Sequence, residues 1–302
     1  MTINTLTASQ LRERLAGTPR PLLLHVLPEE HFAARRIAGA VNACAYEIAF
    51  QDKVREWAPD PATPIIVYGE GAPSLDSADA ATKLTAVGYS NVSDFRGGLH
   101  EWEASGLPLE GQTPLPAVPV LDGAFRIDPD ASVIRWTGQN LFNHHEGTLQ
   151  LADGLLQIRQ GMLSSGEFTI AMNSIACTDL ADSSWNAMLI THLRNADFFQ
   201  VDEHPTARFV ITGATPIADA TDGVDNYQIT GNLTLRGVTR ELTFPAIIAT
   251  ADPKHITAQA HMAFDRTQFG SYYGSGRFFA YLGKHVVNDY IQLHLKIHAL
   301  RA

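Results

Sequence analysis

The stretch NYQITGNLTLRGVTRELTFPAII, residues 226–248, reads as a β-hairpin, with strands over Tyr227–Leu235 and 241–247 joined around Gly237. Its neighbours share the texture. In GEFTIAMNSI (166–175), Phe168, Ile170 and Met172 fall on one face of an alternating run. In DYIQLHLKIHAL (289–300), Ile291, Leu293, Leu295 and Ile297 fall on one face, and Gln292, His294, Lys296 and His298 on the other. Many such runs, parted by turns that contain Gly, Asn or Asp, predict an antiparallel barrel or sandwich. One helix interrupts them. In SSWNAMLITHLRNADFF, Trp185, Met188, Leu189, His192 and Leu193 follow helical spacing, which predicts a helix over 183–193.

Upstream the pattern changes. Short apolar bursts (PLLLHVL, TPIIVYG, NVSDF) alternate with amphipathic stretches (LTASQLRERLAG, DSADAATKLTAVGY, GGLHEWEASG), which predicts a parallel α/β sheet flanked by helices. GLPLEGQTPLPAVPV (106–120) is rich in proline and suits an extended linker. The expected domains are therefore 1–109, a linker at 110–120, and 121–302.

With 302 residues the chain has room for two ordinary cores, and its net charge of −10 argues against nucleic acid and anionic membrane surfaces. No apolar run is long enough to span a membrane. The start MTINTLTASQLRERL lacks the pattern of a secretory signal. Cys44 and Cys177 fall in different domains and make no disulfide framework, so a cytoplasmic protein with reduced thiols is expected.

TPIIVYGEGAPSLDSADAATKL (63–84) has the outline of a strand–loop–helix turn, a common seat for a nucleophile because loop N–H groups and a helix N-terminus favour negative charge. The loop holds no cysteine, histidine or basic residue. Together with LLLHVLPEEHFAARRIAGAVN and GYSNVSDFRGGLHEWEASG, where Gly97, Gly98 and Trp102 stand at family positions, this half resembles a rhodanese-like domain. The resemblance implies a sulfurtransferase loop whose persulfide-forming cysteine follows the strand directly. Gly69 stands there, and Glu70, Asp76 and Asp79 replace the basic surroundings that favour a thiolate. Gly69, Glu70, Gly71, Ser74, Asp76 and Ser77 then form a vestigial loop, with no catalytic residue. Cys44, outside the loop, is the alternative nucleophile.

The second half resembles the YceI-like family of lipid-binding proteins over 125–299. The resemblance rests on FRIDPDASVIRWTG, HEGTL, THLRNADFFQVDEHPTARFVIT, YQITGNLTLRGVTRELTFPA and FDRTQFGSYYGSGRFF. It implies a lipocalin-like antiparallel barrel whose lumen holds a long apolar molecule such as a polyisoprenoid. Such a carrier needs an apolar, aromatic lining and a few polar groups at its mouth. Trp136, Phe142, Phe168, Phe198, Phe199, Phe264, Phe278 and Phe279 are the candidate lining, with Tyr273 in the Gly- and aromatic-rich segment 269–279. His145 and His192 match family positions and are candidates for head-group hydrogen bonds. The histidines show no metal-ligand spacing, and no metal site is expected.

The expected function is a non-enzymatic carrier or sensor for an isoprenoid-like or fatty-acyl lipid. It needs no other cofactor, and the degenerate rhodanese-like domain serves partners or a homodimer. The alternatives are an enzyme, using Cys44 or metal-assisted chemistry at the barrel histidines, and a ligand-free scaffold.

Overall fold

Four consecutive apolar residues leave a strand no face for water, and Ile65–Tyr68 accordingly lies mid-sheet with every side chain buried. The computed structural model describes residues 3–111, 114, 120–180 and 184–302, and the chain divides into two units, Met1–Ala117 and Val118–Ala302. The first unit runs β1 (Asn4–Thr5), α1 (Ala8–Ala16), β2 (Leu22–His25), α2 (Glu29–Ala34), β3 (Val41–Asn42), α3 (Phe50–Trp57), β4 (Ile65–Tyr68), α4 (Asp76–Ala86), β5 (Val92–Asp94) and α5 (Gly98–Ala104). Its strands are parallel, in the order β1-β5-β4-β2-β3.

Alternation along β4 builds a core on each side of the sheet. Ile65 and Val67 pack with Phe50, Val54, Ala80 and Leu84; Ile66 and Tyr68 pack with Leu11, Phe95, Leu99 and Trp102. Thus α3 and α4 cover one face, α1 and α5 the other. A capping box starts α1, the Thr7 hydroxyl and the Gln10 amide each accepting the other residue's backbone N–H. The anticipated α/β sheet is present, with four further elements: β1 and β3 are too short to show a period, α2 buries no residue, and α3 buries Phe50 and Val54 alone. Glu110 and Arg36 exchange backbone hydrogen bonds of 2.7 and 2.8 Å, so the first unit's ordered chain passes Leu109. Most of the linker expected at 110–120 falls on 112–113 and 115–119, outside the described residues.

The second unit contains β6 (Gly123–Ile127), β7 (Val133–Gln139), β8 (His144–Arg159), β9 (Met162–Cys177), α6 (Ser184–Arg194), β10 (Thr206–Pro216), β11 (Tyr227–Leu235), β12 (Val238–Asp252), β13 (His255–Asp265) and β14 (Tyr290–Arg301). Of the two anticipated architectures the barrel is the one formed: every pairing is antiparallel, and β13 meets β14 to close the sheet. Its nine strands fill eight positions, because β6 and β7 lie end to end between β8 and β14. Ser132 stitches that break, its hydroxyl accepting the His298 N–H at 2.9 Å.

The hairpin at 226–248 turns on Arg236 and Gly237, both at positive φ (51° and 71°). A two-residue turn of this kind closes pairing at once, so the second strand starts at Val238 rather than 241. Helix α6 begins at Ser184; Ser183, where the expected helix starts, lies outside the described residues.

Inward-facing side chains change role along the barrel. At one end Leu156, Phe168, Phe209, Ile229, Phe244 and Leu295 close on one another, leaving about 50 Å³ free. Phe168 stacks on Phe209 with 5.3 Å between ring centroids, and Phe209 leans on Phe244 at 5.6 Å. Gly231 admits this plug, since a Cβ there would stand 2.3 Å from Phe209 Cζ. Beyond it the lumen is hollow.

Candidate ligand-binding site

Two to seven residues further along β8, β9, β11 and β14 the inward side chains no longer meet. Ile134 on β7, Leu149 on β8, Ile170 on β9, Leu233 and Leu235 on β11, Phe264 on β13 and Leu293 on β14 surround a cavity of about 470 Å³. That lies within the range of about 300–1,000 Å³ typical of small-molecule sites. Helix α6 overlies it with Trp185, Leu189, His192 and Leu193, and polar Gln139, Asn140, Lys284, His285 and Asn288 complete the lining.

Of the residues singled out in the sequence, Trp136, His145, His192, Phe198, Phe199, Phe264 and Tyr273 line this cavity together. Four do not. Phe168 belongs to the plug. Phe142 is 73% exposed on the turn between β7 and β8, where Asn140 Oδ1 accepts the Phe142 and Asn143 N–H groups and holds the turn tight. Phe278 and Phe279 are 53% and 50% exposed on a turn closed by their N–H groups on the Ser275 carbonyl. For these three, loop geometry decides the outcome, and alternation along a strand carries no information about it.

The two histidines are held by carboxylates that sequence reasoning missed. His145 Nδ1 lies 2.8 Å from Asp179 Oδ2. Burial raises the Asp179 carboxyl, but hydrogen bonds from the Glu146 N–H, His145 and Cys177 outweigh it and bring it down to about 2. With Nδ1 turned to the Asp179 carboxylate, Nε2 is the ring nitrogen of His145 left for another partner. His192 Nε2 lies 3.1 Å from Asp197 Oδ2, and its ring stands edge-on to Phe198 and Tyr273. Both carboxylates sit on connections after the strand or helix, so no periodic signal marks them.

Arg266 was also missed. It is buried against the cavity, where it donates to the carbonyls of Asn288, Ser271, Tyr273 and Val287 at 2.6–3.1 Å and lies over the Phe198 ring. Arg277 bridges Asp265 and Asp289 at 2.9 and 3.1 Å. These bonds fix the long connection from β13 to β14 that supplies Lys284, His285 and Asn288. An arginine directly after an apolar strand, in FDRTQF, was the available signal.

In the first unit, the loop after β4 is occupied by its own chain. A Cβ on Gly69 would stand 2.3 Å from Asp76 Cγ, and Asp76, 3% exposed, accepts the Glu70 and Ser77 N–H groups at 3.1 and 2.6 Å. Ser77 is buried beside it, and Ser74 caps the Asp76 N–H at 3.4 Å while bonding back to the Gly71 carbonyl. Glu70 finds its partners elsewhere in the fold, Arg35 at 2.5 Å and His100 Nε2 at 3.1 Å. Cys44 is buried outside this loop. Among the described residues, no three His, Cys, Asp or Glu side chains gather in a metal-holding group.

A closed antiparallel barrel with a plug at one end and an apolar cavity at the other defines a lipocalin-like binding barrel. Residues 125–299, more than half of the chain, match the YceI-like domain, and the chain belongs to that family; residues 7–105 match the rhodanese-like domain. A UPF0312 protein of Azotobacter vinelandii is 47% identical over 58 residues, which cover 19% of this chain and 26% of the relative, so the match spans about a quarter of that protein. Among solved structures, Burkholderia cenocepacia BcnA is 19% identical with a TM-score of 0.45, covering 57% of this chain and 98% of its own. A polyisoprenoid binding domain from Saccharophagus degradans is 12% identical with a TM-score of 0.42, covering 59% and 98%.

Proposed function

We propose that this protein binds and carries an elongated apolar molecule, isoprenoid-like or fatty-acyl, in the barrel cavity, without catalysing a reaction. The observation that carries the reading is the 470 Å³ hollow itself, walled by aliphatic and aromatic side chains and beginning where the aromatic plug ends. Leaving such a space empty forfeits the dispersion contacts that pack the other end, so an apolar occupant is favoured. The rhodanese-like unit is read as a non-catalytic interaction or regulatory module. Asp76 occupies the loop where an anionic sulfur carrier would project, and no thiol follows β4.

The test is native mass spectrometry of the purified full chain, with organic extraction of whatever it carries. A stoichiometric lipid adduct is expected. A protein isolated empty that also fails to take up farnesol or hexadecanoic acid overturns the reading.

A further inference from the structure

The exposed rings of the second unit gather at one end of the barrel. Successive antiparallel strands put the connections β7–β8, β9–β10, β11–β12 and β13–β14 around the open end. The connections β8–β9, β10–β11 and β12–β13 surround the plugged end. Phe142 stands on the β7–β8 turn, Trp185 on α6, and Tyr272, Phe278, Phe279 and Tyr281 on the β13–β14 connection, each at least 45% exposed. Among the described residues the plugged end has no exposed aromatic side chain; its exposed apolar groups are of the kind at Met162, Ile217 and Val224. The cavity lining reaches the same three connections at Asn140, Trp185 and Lys284, so the rings form a rim around its mouth. An exposed apolar patch of this kind marks a surface that a partner covers.

Backbone bonds fix the rim. Asn140 bridges Val287, the Asn288 N–H donates to the Gln139 carbonyl at 2.8 Å, and the Val287 N–H donates to the Gly274 carbonyl at 2.8 Å. These tie the β7–β8 turn to the β13–β14 connection, where the Tyr272 and Phe278 rings lie 4.6 Å apart. The rim stretches also lack acid. Residues 140–143, 184–193 and 269–288 contain no Asp or Glu, in a chain whose net charge is −10. Arg277 and Lys284 are their basic side chains, and Arg277 is already bridged to Asp265 and Asp289.

We propose that the open end docks on an uncharged lipid bilayer, its rings entering the interface around the cavity mouth. Indole and phenol rings settle between head groups and acyl chains, a region that carboxylates avoid. The chain's negative charge disfavours anionic surfaces, which leaves apolar contact to supply the binding. A bilayer is favoured over a protein partner because the rings stand on three separate connections around an opening. A protein seated there closes the cavity, whereas a bilayer brings acyl chains to its mouth. That choice of partner rests on the carrier reading above.

The probe is phosphatidylcholine vesicles, floated with the delipidated full chain. Co-flotation is expected, and raised salt should leave it unchanged. Phe278→Ser combined with Phe279→Ser and Tyr281→Ser should weaken the partition about tenfold or more, and Phe142→Ser, on another connection, should weaken it as well. None of these four side chains lines the cavity, so binding of a dansylated fatty acid in solution should persist in both variants. Val224→Ser, at the plugged end, should float like the native chain. A native chain that stays in the aqueous fraction, or rim variants that float undiminished, overturns the docking, while the dansylated lipid alone judges the carrier reading. Flotation that requires phosphatidylglycerol and disappears in salt overturns the apolar basis. A dimer that the rim variants dissociate, with no flotation of the native chain, overturns the bilayer and assigns the rim to a second copy.

Discussion

At position 69 the absent side chain and the one that fills its place belong to a single arrangement. The Asp76 carboxylate lies where a side chain on residue 69 would project and takes up loop N–H groups that would otherwise face an anion. Restoring a thiol is therefore not enough. Gly69→Cys should show no thiosulfate–cyanide sulfurtransfer, like the native protein, and should lower the melting temperature of the N-terminal unit, because its Cβ and the carboxylate cannot share one site. A second residue offers a pH handle. His25 is fully buried, with neither ring nitrogen bonded, and burial, then the neighbouring His31, lower its pKa from 6.5 to about 4. Below pH 6.5 the unfolded chain takes up this proton first, so protonation favours unfolding. Stability should fall between pH 6.5 and 4 by up to about 3 kcal/mol and level off beneath. Denaturant unfolding of the N-terminal unit across that range checks it, and His25→Leu should flatten the slope. The glycine directly after β4 was legible because it depends on a single position. The buried carboxylate beside it was not, since Asp76 stands seven positions along the chain and only the fold of the loop makes the two meet.

At the level of elements, alternation made the strands legible and said little about what they enclose. Phe168 and Ile170 are successive inward residues of β9, yet one packs into the plug and the other faces open space. That division depends on which aromatic rings converge across the lumen, which no single strand records. It predicts opposite mutational responses. Phe209→Ala empties a packed site and should cost about 3–5 kcal/mol in denaturant unfolding of the C-terminal unit. Leu235→Trp adds volume where space exists, so stability should stay within about 1 kcal/mol while displacement of the dansylated lipid shows binding lost. His145 and His192 were legible by type and motif. Their orientation was not, because Asp179 and Asp197 reach them from irregular connections.

For the whole molecule, the change from alternating α and β texture to repeated strands already marked two architectures in one chain. The units Met1–Ala117 and Val118–Ala302 have separate cores, and the cavity belongs to the second alone. A ligand at one hundred times its dissociation constant should stabilise the C-terminal unit by about 2.7 kcal/mol and leave the N-terminal transition in place, which two-transition calorimetry would resolve. The aromatic plug has one more consequence. A tube stopped at one end has no through-flow, so whatever part of an elongated guest goes in last must come out first. Cargo seated tail-down can only have arrived tail-leading and can only depart head-leading.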